Sequence, residues 1–100
     1  MNKKAFECTS LSEVRNEIDR IDREIIGLMA ERFNYVKEVV KYRDPQQREV
    51  ADRERFEQVI KQRGKWAESM GLDAESIEKV YRELVEYYIR EQALLAKQNL

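Results

Sequence analysis

Ser10 to Val40 reads SLSEVRNEIDRIDREIIGLMAERFNYVKEVV, and this one run decides the fold. Leu11, Val14, Ile18, Ile21, Ile25 and Leu28 fall at alternating steps of three and four, the spacing of one face of an α-helix. The next beats are Arg32, Tyr35 and Val39, so a guanidinium stands where the pattern asks for an apolar side chain. Burying an unpaired charge is strongly unfavourable, so an anion is expected to meet Arg32. Ser10 with Glu13 three residues on has the spacing of a capping box, which starts the helix near Leu11. Gly27 costs about 1 kcal/mol in a helix interior without breaking it, and no further stop signal precedes Asp44 and Pro45. The expected helix is about 33 residues and roughly 50 Å long. A compact chain of this size has a radius of gyration of only about 13 Å. Its own chain cannot cover so long a stripe, and an intertwined homodimer with the long helices packed together is expected.

The remainder predicts two more helices. Pro45 to Val50 reads as a polar connector. A second helix from about Ala51 to Met70 carries Phe56, Val59, Ile60 and Trp66 as core, and Gly71 supplies a left-handed stop. Asp73 caps a third helix from about Ala74 towards Lys97, with Ile77, Val80, Tyr81, Leu84, Val85 and Tyr88 on its buried side. Gln92, four residues after Tyr88, is the second polar residue on an apolar stripe, the one marked by Tyr81, Leu84, Tyr88 and Leu95. Three glycines and one proline are too few turn formers for a sheet-rich fold. The expected architecture is all-α, a single domain over residues 1–100 with three helices per chain, one very long, forming an intertwined homodimeric bundle.

Composition narrows the chemistry. Nineteen basic and twenty acidic residues leave a net charge of −1, so no general field draws the chain to nucleic acid or to a membrane surface. Any anion selectivity must be local. The absence of histidine removes the usual general base near neutrality and the commonest metal ligand. Cys8 is alone, so neither an internal disulfide nor a thiolate cluster is expected, and neither a metal nor a cofactor. No run approaches the roughly 20 apolar residues of a membrane span, and a cytoplasmic location is expected.

Further polar residues lie on or beside the stripes. Asp52 and Arg55 precede Val59 by seven and four residues; Arg15 precedes Ile18 by three; Arg43 ends the first helix. Side-by-side packing would bring four arginines and one glutamine together, and arginine's planar fork suits carboxylates. The implied ligand is a small dicarboxylate. Each residue also has a plainer reading. Judged alone, Arg15 and Arg43 read more simply as solvated surface charges, and Arg32 has the competing reading of an interface arginine paired with a partner's glutamate. Gln92 can fix helix register, and Asp52 can simply favour a helix start. A noncatalytic helical interaction module is the corresponding alternative function.

Several stretches together resemble the all-helical chorismate mutases, and within them the bacterial isochorismate pyruvate lyases of salicylate and siderophore synthesis. They are Cys8-Thr9 with Leu11, Val14-Arg15, the run Ile18-Asp19-Arg20-Ile21-Asp22, Arg32 with Tyr35-Val36-Lys37, Lys65-Trp66-Ala67-Glu68, Gly71-Leu72-Asp73 and Tyr88-Ile89-Arg90-Glu91-Gln92. The resemblance spans about residues 8–95. It implies a homodimer with two equivalent sites, each lined mostly by one chain and completed by Arg15 of the other. It implies that Arg32 and Arg55 lie near the substrate's carboxylates and ether, that Gln92 donates towards the ether oxygen of the breaking bond, and that Asp52 recognises the ring side. Arg32, Arg43 and Gln92 are then the candidate catalytic donors. Arg15, Asp52, Arg55, Tyr88, Val36, Val40 and Ile89 form the candidate substrate-binding set. Where the mutases place a glutamate just after the position of Arg55, this chain has Phe56, and where some have serine it has Tyr88; both departures resemble the lyases. A loop lysine common to both groups is replaced by Arg43, with Lys41 nearby as an alternative loop cation. Isochorismate cleavage to salicylate and pyruvate, with secondary chorismate mutase activity, is the expected function; the alternative is a plain chorismate mutase.

Overall fold

The structure is a computed structural model that describes residues 3–42 and 48–98, and among these the side chains of all but residues 40, 48–52 and 95–98. Helix α1 runs over Leu11–Val39, α2 over Arg48–Ser69 and α3 over Ala74–Gln98. Among the described residues there is no strand, as expected. Short 3-10 turns occupy Ala5–Glu7 and Val40–Tyr42. The chain divides into two compact units, Met1–Val36 and Lys37–Leu100.

In the first unit the start of α1 is held by more than the expected capping pair. The Glu13 amide donates to Ser10 Oγ at 3.1 Å, but the Glu13 carboxylate receives the Thr9 amide at 2.8 Å and the Thr9 hydroxyl at 3.2 Å, one residue earlier than the capping box places it. Lys3 Nζ lies 2.9 Å from the other oxygen of the same carboxylate. These donors, the Thr9 amide foremost and then Lys3, hold the Glu13 carboxyl below its ordinary range. Residues 3–9 are thereby tied to the first turn of α1. The helix stays regular through Gly27 and ends at Val39, earlier than the expected stop near Asp44. Val36 and Val39 are β-branched and lose χ1 freedom in a helix, which weakens this end, and a 3-10 turn finishes it.

No residue of α1 is buried. Leu11, Val14, Ile18, Ile21, Ile25 and Leu28 are between 40% and 63% exposed, so the apolar stripe exists as read but is left open.

In the second unit, α2 begins at Arg48 rather than Ala51. The stretch Arg48-Glu49-Val50 falls in the expected polar connector, but Arg48 and Glu49 are good helix formers and offset the lower propensity of the β-branched Val50. At the other end Gly71, at φ +84°, takes the left-handed conformation. The Leu72 amide donates to the Ala67 carbonyl at 2.9 Å and the Gly71 amide to the Glu68 carbonyl at 3.2 Å. This is a Schellman closure. Asp73 then caps α3, its Oδ2 accepting the Ser76 amide at 2.9 Å and the Ser76 hydroxyl at 2.6 Å. Those two bonds, the hydroxyl's first, lower the Asp73 pKa.

The Schellman turn folds α3 back along α2. Val59, Ile60, Ala67 and Tyr88 form the buried core, with Ile60 wholly enclosed. Gly64 is the point of close approach: a Cβ there would lie 3.0 Å from Cγ of Glu78. Two expected core residues fall outside. Trp66 is 48% exposed and Val80 51% exposed. Each neighbours a better-covered residue, Ala67 and Tyr81, and is therefore turned about 100° around its helix from it. The Trp66 ring is instead covered in part by the Arg63 guanidinium, 4.4 Å from its centroid.

Candidate active site

Three candidates lie on the first unit. Arg15 is exposed on the second turn of α1; Arg32 and, one turn further, Val36 are half-buried. Neither Arg32 nor Val36 is without a partner. Arg15 and Arg32 are 17 positions apart on one continuous helix, which separates them by about 25 Å along its axis. One small dicarboxylate cannot touch both on the same chain. Between them, Arg20 is committed to the carboxylates of Glu17 and Glu24, at 2.8 and 2.9 Å. Glu17 is held below the ordinary carboxylate range, chiefly by the hydrogen bond from Arg20.

The second unit carries Arg55 on α2 and Tyr88, Ile89 and Gln92 on α3. Arg55 and Ile89 are exposed and Gln92 is half-buried; Gln92 is not without a partner. Tyr88 is 3% exposed, with the Tyr87 ring edge-on at 5.3 Å. The antiparallel register follows from two contacts, Gly64 against Glu78 and Glu57 against Arg82. Continued backwards along α2 and forwards along α3, this register puts the backbone of Asp52 roughly level with Tyr88. The α2–α3 packing thus places the Asp52–Arg55 turn and the Tyr88–Gln92 turn at the same end of the hairpin.

Two groups at that end escaped sequence reasoning. Arg82 Nη1 and Nη2 donate to the two carboxylate oxygens of Glu57 at 3.2 and 3.3 Å, and the Arg82 guanidinium lies 5.6 Å from the ring centroid of half-buried Phe56. The pair is 25 residues apart in sequence, beyond any local spacing rule. The local signal pointed elsewhere, because Arg82 has Glu78 and Glu86 at the favourable i−4 and i+4 positions of its own helix. The hydrogen bonds to Glu57 raise the Arg82 pKa and lower that of Glu57.

Arg43 lies outside the described residues, as do the side chains of Val40 and Asp52. Lys41, the alternative loop cation, is exposed and pairs with Glu38 at 2.9 Å. No group of three or more Cys, Asp and Glu is placed to hold a metal among the described residues, and no helix there is long and apolar enough to cross a membrane. The candidates on the first unit are two arginines and a valine, and those described on the second are an arginine, a tyrosine, an isoleucine and a glutamine; guanidinium, amide and hydroxyl groups are donors suited to anions.

A family model described as chorismate mutase type II matches residues 14–93. The chain is also 34% identical over 86 residues to isochorismate pyruvate lyase of Pseudomonas aeruginosa, an alignment that covers 86% of this chain and 84% of that protein.

Proposed function

The chain belongs to the chorismate mutase type II family, and from that premise we propose that it is an isochorismate pyruvate lyase that cleaves isochorismate to salicylate and pyruvate. The observation that carries this reading is the 34% identity to a lyase of that activity over nearly the whole of both chains. Phe56 and Tyr88 support it, since both depart from the mutase pattern in the direction of the lyases. Because the family is described by its mutase activity, conversion of chorismate to prephenate is a secondary activity of the same pocket. The functional unit is one domain over residues 1–100.

The chemistry needs no covalent intermediate. In isochorismate an enolpyruvyl group hangs by an ether oxygen from a cyclohexadiene ring. In a cyclic transition state the ring C–O bond breaks while a ring hydrogen passes to the enolpyruvyl methylene carbon, which yields pyruvate and an aromatic ring. The ether oxygen gains negative charge as the bond lengthens. Preformed donors aimed at that oxygen stabilise the transition state more than the ground state, a role for Arg32, Arg43 and Gln92. Arg15 and Arg55 clamp the two carboxylates and hold the side chain over the ring, which lowers the entropic part of the barrier. Asp52 is assigned to recognition of the ring side of the substrate, and Val36, Val40, Tyr88 and Ile89 to the exclusion of water.

The active form is a homodimer. The open α1 stripe favours a second copy as its cover. The separation of about 25 Å between Arg15 and Arg32 requires that a pocket using both take them from two chains. Incubation of the purified protein with isochorismate and chorismate in parallel, with products resolved by chromatography, tests the reading. Salicylate and pyruvate in equal amounts are expected from the first. Prephenate from chorismate with no salicylate from isochorismate would leave a plain mutase.

A further inference from the structure

The geometry points to Arg82 as a positioning residue of the pocket, one that acts through Phe56 and so bears on the choice between isochorismate and chorismate. The inference rests on the function proposed above, and takes Phe56, the lyase-like departure directly after Arg55, as an apolar wall of that site. Arg82 has carboxylates one turn to either side on its own helix, Glu78 and Glu86, yet both of its terminal nitrogens reach across to Glu57 of α2. This two-point contact fixes the plane of the guanidinium. The fixed plane lies over the Phe56 ring, so α3 grips two consecutive residues of α2, one by its carboxylate and the other by its ring face. Arg55 precedes them directly, and Asp52 lies one turn before Phe56. A slackened grip frees the ring and, with it, the turn of α2 that presents Arg55.

Arg82 touches no substrate in this scheme. Its effect appears in how tightly the correct substrate is held, and more for the substrate whose ring lies against the apolar wall. Steady-state kinetics of the wild type, Arg82→Met, Arg82→Lys and Glu57→Gln with both substrates provide the test, beside thermal unfolding of each. Both partners are about half exposed, so the variants are expected to fold. An exposed ion pair and an exposed cation–π contact together bias a conformer by about fivefold. Arg82→Met is therefore expected to lower kcat/KM for isochorismate by about that factor, mainly through KM, and to lower that for chorismate less. Glu57→Gln should move both values in the same direction by a smaller amount, and Arg82→Lys should recover only part of the loss because it lacks the planar fork. Unchanged kinetics in Arg82→Met and Glu57→Gln would overturn the inference, as would an equal loss for both substrates that tracks a lowered Tm. A wild type that turns over neither substrate would sink the underlying reading, and this inference with it, before any variant is made.

Discussion

Helices α1 and α3 are amphipathic to the same degree, but α3 buries Tyr88 and half-buries Ile77, Tyr81, Leu84 and Val85, whereas α1 buries nothing. The α2–α3 hairpin carries its own cover, since a Schellman turn and an aspartate cap bring two amphipathic faces together within one stretch of chain. Helix α1 presents an equally regular face over 29 residues, and that face is open. Amphipathicity specifies that a face must be covered; it does not specify by what. In this protein the difference separates a self-contained core from a surface whose partner, in the proposed dimer, also completes the chemistry.

The sharpest way to break this contrast is to place a charge on the open stripe. Ile25→Asp is expected to turn the dimer into monomers by light scattering and to abolish turnover, because an unpaired carboxylate in an apolar seam is strongly unfavourable. A variant that stays dimeric and active would show that the stripe is not the interface. Arg32→Ala, on the same stripe, is expected to leave the helix content intact by circular dichroism while lowering kcat about a hundred- to a thousandfold, the range for removal of one preorganised donor. Undiminished turnover would remove Arg32 from the chemistry, whereas a wild type without turnover would favour the noncatalytic module. On the hairpin side, Ile60→Ala should lower the unfolding free energy by about 2–5 kcal/mol, read from urea denaturation, with the dimer retained at high protein concentration. The smallest effect concerns the α3 cap. The Asp73 carboxyl has a lowered pKa in the fold, so its contribution is complete above the ordinary aspartate range, about 4, and is lost as pH falls through the lowered value. Asp73→Ala should therefore lower Tm by a few degrees at neutral pH, and the gap to wild type should close under strong acid.

Features governed by neighbours along the chain are legible in the sequence. The start of α1 at Leu11, the left-handed Gly71, the Asp73 cap and the buried Tyr88 all follow from residue type and local spacing. Where several signals overlap, sequence alone misleads. Polarity makes Arg48 and Glu49 look like loop, although both are good helix formers. Trp66 and Val80 look like core because a hydrophobic period gives a stripe without its width, and each sits about 100° from a better-covered neighbour. The candidate site residues are legible in a different way. Arg32 and Gln92 stand out as polar beats in apolar rhythms, and each is half-buried on its own unit. Arg82 gives no such signal, because its partner Glu57 lies 25 residues away and two nearer carboxylates offer a simpler pairing.

The spacing of Arg15 and Arg32 along a single rod has a consequence for mixed populations of subunits. In the proposed dimer each pocket draws Arg15 from one chain and Arg32 from the other, so a chain lacking Arg32 damages only the pocket it hosts, and a chain lacking Arg15 only the pocket to which it donates. Two inactive variants, Arg15→Ala and Arg32→Ala, unfolded together and refolded at equal concentrations, place both lesions of a mixed dimer in the same pocket and leave its second pocket intact. Random pairing under two-fold symmetry then restores about a quarter of the sites. Two lesions that each silence the protein alone would thus complement one another, as though the unit of inheritance for activity were the pocket rather than the chain.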